Sequence, residues 1–189
     1  MFKAERGEVM LKKMILTASI AVLTLTGCAS SGLVHDKNYL RAVSISGENE
    51  KNLTFTFFTG NGDSVSASGK DISSAQKSAE IKSGKPIFTG YTELVILGES
   101  SYCETLEYLL NNWKVSPSCI VAYSENGGKI LEKADAEMLF GSIKQAVEQG
   151  KIPECDIITV LGDLLSDSNS ADIAEITDKG AVKKYTITN

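Results

Sequence analysis

Ile87-Phe88-Thr89-Gly90-Tyr91-Thr92-Glu93-Leu94-Val95-Ile96-Leu97-Gly98 is the stretch on which the fold turns. Its centre, Leu94 to Leu97, is four consecutive large apolar residues without polar alternation, the pattern of a strand covered on both faces. Such a strand belongs in the middle of a sheet, and residues 87–98 read as one extended segment around it. Just beyond, Ser101 and Glu104 have the spacing of a capping box, and Tyr102, Leu106, Leu109, Leu110 and Trp113 recur at helical period. Pro117 blocks continuation of that helix. Cys119-Ile120-Val121-Ala122-Tyr123 is a second short apolar strand, closed by the turn residues Asn126-Gly127-Gly128. Strand, helix and strand in that order imply a right-handed crossover if the two strands are parallel.

Upstream, residues 39–45 and 52–59 are rich in β-branched and aromatic side chains, and the polar insert 47–51 between them reads as the turn of a hairpin. Asp71 is placed to cap a helix running to about Ser83, with Ile72, Ala75 and Ala79 on one face and Gly84-Lys85-Pro86 ending it. Downstream, Asp135 opens a helix carrying Met138, Leu139, Ile143, Ala146 and Val147 and stopped by Gly150. Asp156 opens a shorter one through Ile157, Val160, Leu161 and Leu164. Residues 173–176 and 181–188 read as strands about the turn Asp178-Lys179-Gly180. The expected fold is α+β, a mixed α/β domain over residues 39–189. A sheet of about five or more strands, opening with the β-hairpin, packs with about four helices.

The chain has 189 residues, of which 42% are hydrophobic, enough for one core and too few for two full domains. From Met10 it begins Met-Leu-Lys-Lys, continues with an apolar run over residues 14–25 and ends that run in Leu25-Thr26-Gly27-Cys28. A basic start, an apolar centre too short to span a bilayer and a small-residue cleavage site make residues 1–27 an export leader. The Leu-Thr-Gly-Cys motif resembles a lipobox, in which diacylglycerol is attached to the cysteine before cleavage ahead of it. Cys28 is therefore the expected lipidation site and mature N-terminus, and residues 28–38 a spacer. Met10 is the preferred start, since Glu5 and Glu8 precede the basic region and Glu5-Arg6-Gly7-Glu8 reads as a translated ribosome-binding site. The leader holds Lys3, Arg6, Lys12 and Lys13 against Glu5 and Glu8, so its removal leaves 15 basic and 22 acidic side chains, about −7. That balance, with no basic run to override it, excludes nucleic acid as an expected partner.

Reactive constellations are sparse. His35 is the single histidine and lies in the spacer, so neither a Ser-His-Asp triad nor a multi-histidine metal site can be assembled, and no metal or cofactor is expected. Cys103, Cys119 and Cys155 remain after lipidation, without CxxC or metal-ligand spacing, and read as separate buried thiols. Ser74-Ala75-Gln76-Lys77 matches the S-x-x-K of serine enzymes that recognise penicillin, yet the S-D-N and K-T-G companions are missing. Two exposed helix positions are the simpler reading. Gly60-Asn61-Gly62 lacks the third glycine of a dinucleotide fingerprint and reads as a turn. Glu99, Asp163 and Asp167 stand near element ends, where capping accounts for them. No enzyme is expected.

The order of these motifs is similar to one known family. The lipobox, the early hairpin, Ser68-Gly69-Lys70-Asp71-Ile72-Ser73-Ser74-Ala75 leading into a helix, and above all residues 87–99 resemble the N-terminal domain of the Ger(x)C spore germination lipoproteins. The helix over 106–113, the strand over 120–123, Gly128-Lys129-Ile130-Leu131 and the helix over 159–165 follow in the family's order. Tyr91 stands where the family often has histidine, and Ala29-Ser30-Ser31-Gly32 where it usually has Trp-Asp and further charges. Family members are about twice as long, so a minimal, divergent or truncated member is expected. The resemblance implies a non-enzymatic C subunit of a germinant receptor. It would be held by lipid on Cys28 to the extracytoplasmic face of the inner spore membrane, beside integral membrane A and B subunits, and would support the response to small-molecule nutrients. A general envelope lipoprotein that binds a solute or a cell-wall component is the competing expectation.

Overall fold

The structure is a computed structural model, and it describes residues 36–58, 64–177 and 182–188. The chain enters as β1 (Asn38–Ser46) and returns as antiparallel β2 (Lys51–Phe57), the hairpin expected from the sequence. Gly47 makes the turn at φ +93°, where a side chain would also run into the Glu50 carbonyl. β3 (Ser64–Gly69) then adds antiparallel to β2. Its sequence, Ser-Val-Ser-Ala-Ser-Gly, has one β-branched residue, so pairing rather than propensity makes it a strand. Sequence reasoning passed over it.

Helix α1 (Ile72–Ser83) starts at a formed capping box. The Asp71 carboxylate accepts the Ser74 N–H at 2.7 Å, and the Ser74 hydroxyl accepts the Asp71 N–H at 3.1 Å. Ile72, Ala75 and Ala79 are its buried face, and Gly84 ends it at φ +72°. The extended segment expected over 87–98 is in fact two strands, β4 (Ile87–Phe88) and β5 (Leu94–Leu97), both parallel to β1. A buried turn separates them: the Thr92 hydroxyl donates to the Thr89 carbonyl at 2.6 Å, and the Thr89 hydroxyl to the Trp113 carbonyl at 2.9 Å.

α2 (Tyr102–Tyr108) widens into a π turn over Leu109–Trp113, which brings the Trp113 ring to 6.1 Å from Phe55. Ser101 stands at its N-cap, but the expected box with Glu104 is not formed, because no side-chain hydrogen bond caps that end. After β6 (Ile120–Tyr123), the glycines expected to close the strand instead begin a helix, α3 (Gly127–Lys133). A Cβ on Gly127 would stand 2.7 Å from the Ile96 side chain and one on Gly128 2.8 Å from Thr54, so the glycines let α3 lie directly on the sheet.

α4 (Ala136–Glu148), α5 (Ile157–Leu164), β7 (Ser170–Ile176) and antiparallel β8 (Val182–Thr188) complete the described chain. Met138, expected in the core, is 71% exposed because the buried stripe of α4 runs through Ala136, Leu139, Ile143 and Ala146.

Eight strands and five helices are thus found among the described residues, in the sheet order β3-β2-β1-β5-β6-β7-β8 with β4 also on β1. The inner four strands, β1, β5, β6 and β7, are parallel, with an antiparallel edge on each side. Ala42, Leu94 and Ile120 stand in register across the first three. Thr54 faces α3 and its neighbour Phe55 faces Trp113, so helices cover both faces and Leu94–Leu97 is fully buried between them. That is the physical origin of its unbroken apolar run.

The start of α5 gives a pH-linked prediction. Asp156 accepts the Ile158 and Thr159 N–H groups at 3.1 Å each and the Thr159 hydroxyl at 2.6 Å. Partial burial pushes its carboxyl up, but the Thr159 and Ile158 hydrogen bonds together outweigh this and hold it below the ordinary value. A carboxylate depressed in the folded state stabilises above its unfolded pKa, about 3.9, and that contribution disappears as pH falls through the folded value. Asp156→Ala is expected to cost about 1 kcal/mol in urea unfolding at pH 7. The gap to wild type should close as both are titrated into acid.

Candidate functional site

Cys28, His35, the spacer up to residue 35 and the turns Gly60-Asn61-Gly62 and Asp178-Lys179-Gly180 lie outside the described residues. The Ser74 hydroxyl donates to the Asp71 carbonyl at 3.0 Å while accepting the Asp71 N–H, so its hydrogen bonds serve the helix start. Glu99, Asp163 and Asp167 are exposed at separate places. Among the described residues no group of three His, Cys, Asp or Glu side chains is placed to hold a metal ion.

Cys103, Cys119 and Cys155 are free and buried, as separate thiols should be. Burial pushes Cys119 up to about 12, with the Glu93 charge adding to it, and Cys155 up to about 11. Neither carries appreciable thiolate at neutral pH, and thiolate is the reactive form. Folded protein should therefore resist a thiol reagent at pH 8 that labels all three once urea is added. Because the folded values are raised, the thiols' contribution to stability is full below the free-thiol pKa of about 8.5. It is lost as pH climbs from there toward the buried values.

Sequence reasoning missed a polar recess at the N-terminal end of β1. The β1–β2 register slips between Leu40 and Ala42, a bulge that turns Arg41 aside. Its guanidinium lies 2.7 Å from the Glu137 carboxylate on α4 and 3.4 Å from that of Glu93, and stacks over the Phe58 ring at 4.4 Å. Arg41, Phe58 and Glu137, with Thr56, Phe57 and the α3–α4 connection, line a recess of about 500 Å³. One arginine in an apolar strand was the available signal, but its carboxylate partners lie too far along the chain for any local spacing to show them.

A second recess of about 540 Å³ is apolar. Pro117, Ile120, Val147 and Ile158 line it, with Lys144, Glu148 and Glu154 among its polar neighbours. Ile158 is half exposed there. Ser118, Cys155 and Asp156 also border this second recess, and burial holds the Cys155 thiol protonated at neutral pH.

The fold is a mixed-sheet α/β domain with helices on both faces of the sheet. The model of the spore germination protein N-terminal domain matches residues 33–177, which takes in β1 through β7. The chain belongs to this family, that of the Ger(x)C germination proteins, as the resemblance of residues 87–99 implied. No curated protein and no solved structure matches it. Among the described residues no helix is long and apolar enough to cross a membrane.

Proposed function

We propose that this chain is the lipid-anchored, non-catalytic C subunit of a spore germinant receptor. Residues 1–27 direct export and are removed. Lipid on Cys28 holds the domain of residues 39–189 to the extracytoplasmic face of the inner spore membrane. There it supports the response to small-molecule nutrients beside integral membrane A and B subunits. The observation that carries this reading is the family match over residues 33–177, which begins just after the lipobox cysteine. The two acyl chains of one diacylglyceryl cysteine make a lasting tether, since each buried methylene contributes about 0.8 kcal/mol.

The test is deletion of the gene in its own spore former. Nutrient-triggered germination should be lost or strongly slowed, while germination under a trigger that bypasses receptors is retained. Normal nutrient germination overturns the proposal. A second reading, an envelope lipoprotein that captures a solute, is favoured only by the polar recess at Arg41. It requires the domain to gain thermal stability with the solute, about 2.7 kcal/mol at 100 times the dissociation constant.

A further inference from the structure

Three aromatic side chains meet where the chain enters the domain. Tyr39, the second residue of β1, stacks on Tyr91 with centroids 5.9 Å apart. Phe88 lies 5.4 Å from Tyr39 and stands edge-on to Tyr91 at 5.2 Å. The Lys37 ammonium sits 5.8 Å from the Phe88 ring centre. Tyr91 is 62% exposed, a large ring left in water at the tip of a turn that is otherwise buried through Thr89 and Thr92. Gly90 is part of the construction, since a Cβ there would stand 3.0 Å from the Phe88 ring. The cluster is apolar in body and carries two phenolic hydroxyls and a cation.

From this geometry we infer that Tyr39, Phe88 and Tyr91 dock the domain onto the lipid surface that anchors it. The inference rests on the lipidation of Cys28 proposed above. Asn38 follows Cys28 by ten residues, which at full extension reach about 35 Å, so the chain enters the fold close to the bilayer and does so through the cluster itself. Tyrosine is the side chain that favours the headgroup layer, with its ring among acyl chains and its hydroxyl in water. Lys37 adds attraction to anionic lipid on a body that is otherwise acidic. Tethering makes a weak surface sufficient, because a short linker holds the cluster at millimolar effective concentration. The opposite end of β1, about 30 Å away, carries Glu48 and Glu50 on its exposed turn and faces water.

The test uses the lipidated mature chain, purified and reconstituted into vesicles of phosphatidylethanolamine and phosphatidylglycerol. Lys85→Cys, next to the β1 entry and leaving all three rings in place, or Glu48→Cys provides one exposed thiol for an environment-sensitive dye, the native thiols being buried or lipidated. A nitroxide carried on the lipid headgroup is expected to quench the dye at position 85 several-fold more than the same dye at position 48, with a blue shift only at 85. Tyr91→Ala in the Lys85→Cys background should reduce that quenching. If the protein floats with the vesicles but both dyes remain equally unquenched, docking is overturned while the anchor stands; the cluster then faces a protein partner or solvent. If the chain stays in the aqueous phase, the anchor fails and docking falls with it.

Discussion

Cys28→Ala is expected to release the protein from the membrane fraction and to abolish its contribution to nutrient germination, with the domain still folded. The argument is one of separable parts. The core of the described residues begins at Leu40, twelve positions beyond Cys28. Replacing the thiol removes the atom to which lipid attaches and leaves the sheet and helices untouched. A single weak surface cluster does not hold a soluble domain at a bilayer once the acyl chains are gone. Fractionation of spores, the intact mass of the mature chain and germination rate check the three parts of this result. Wild-type mass without a diacylglyceryl group would show that the anchor was misassigned. A soluble variant that germinates normally would show that the anchor is incidental.

Ile96→Ala is expected to be the most damaging single truncation in the body, at about 2–5 kcal/mol. Ile96 is fully buried on β5, between parallel β1 and β6, and its side chain lies directly beneath Gly127 where α3 meets the sheet. Truncation leaves a cavity that backbone hydrogen bonds on both sides prevent from closing. Against a total stability of about 5–15 kcal/mol, the loss approaches unfolding. Ile81→Ala, at a side chain 83% exposed on α1, removes the same atoms from water and should change stability by less than about 0.5 kcal/mol. Urea unfolding followed by the fluorescence of Trp113, the single tryptophan and 95% buried, reads both variants. Equal losses at positions 81 and 96 would contradict the placement of β5 at the centre.

The family, too, was legible from residues 87–99 in their setting, because that phrase combines a central strand with the turn that precedes it. The recesses were not. A recess is the space between elements, and its lining is fixed by register and packing rather than by neighbours in the chain.

Residues 94–97, the capping aspartates at 71 and 156 and the glycine at 84 determined by themselves that the chain makes a mixed sheet with helices started and stopped where they are. Each works through contacts within one turn or one strand, so periodicity and spacing express it completely. Tertiary structure alone decided that β3 is a strand, that Thr89 and Thr92 break residues 87–98 into two strands, and that Gly127 opens a helix instead of closing a turn. It also brought Glu93 and Glu137 to Arg41, and Phe88 and Tyr91 to Tyr39. Those outcomes depend on which strand lies beside which and how closely a helix approaches the sheet, and no local pattern in the chain encodes such distances.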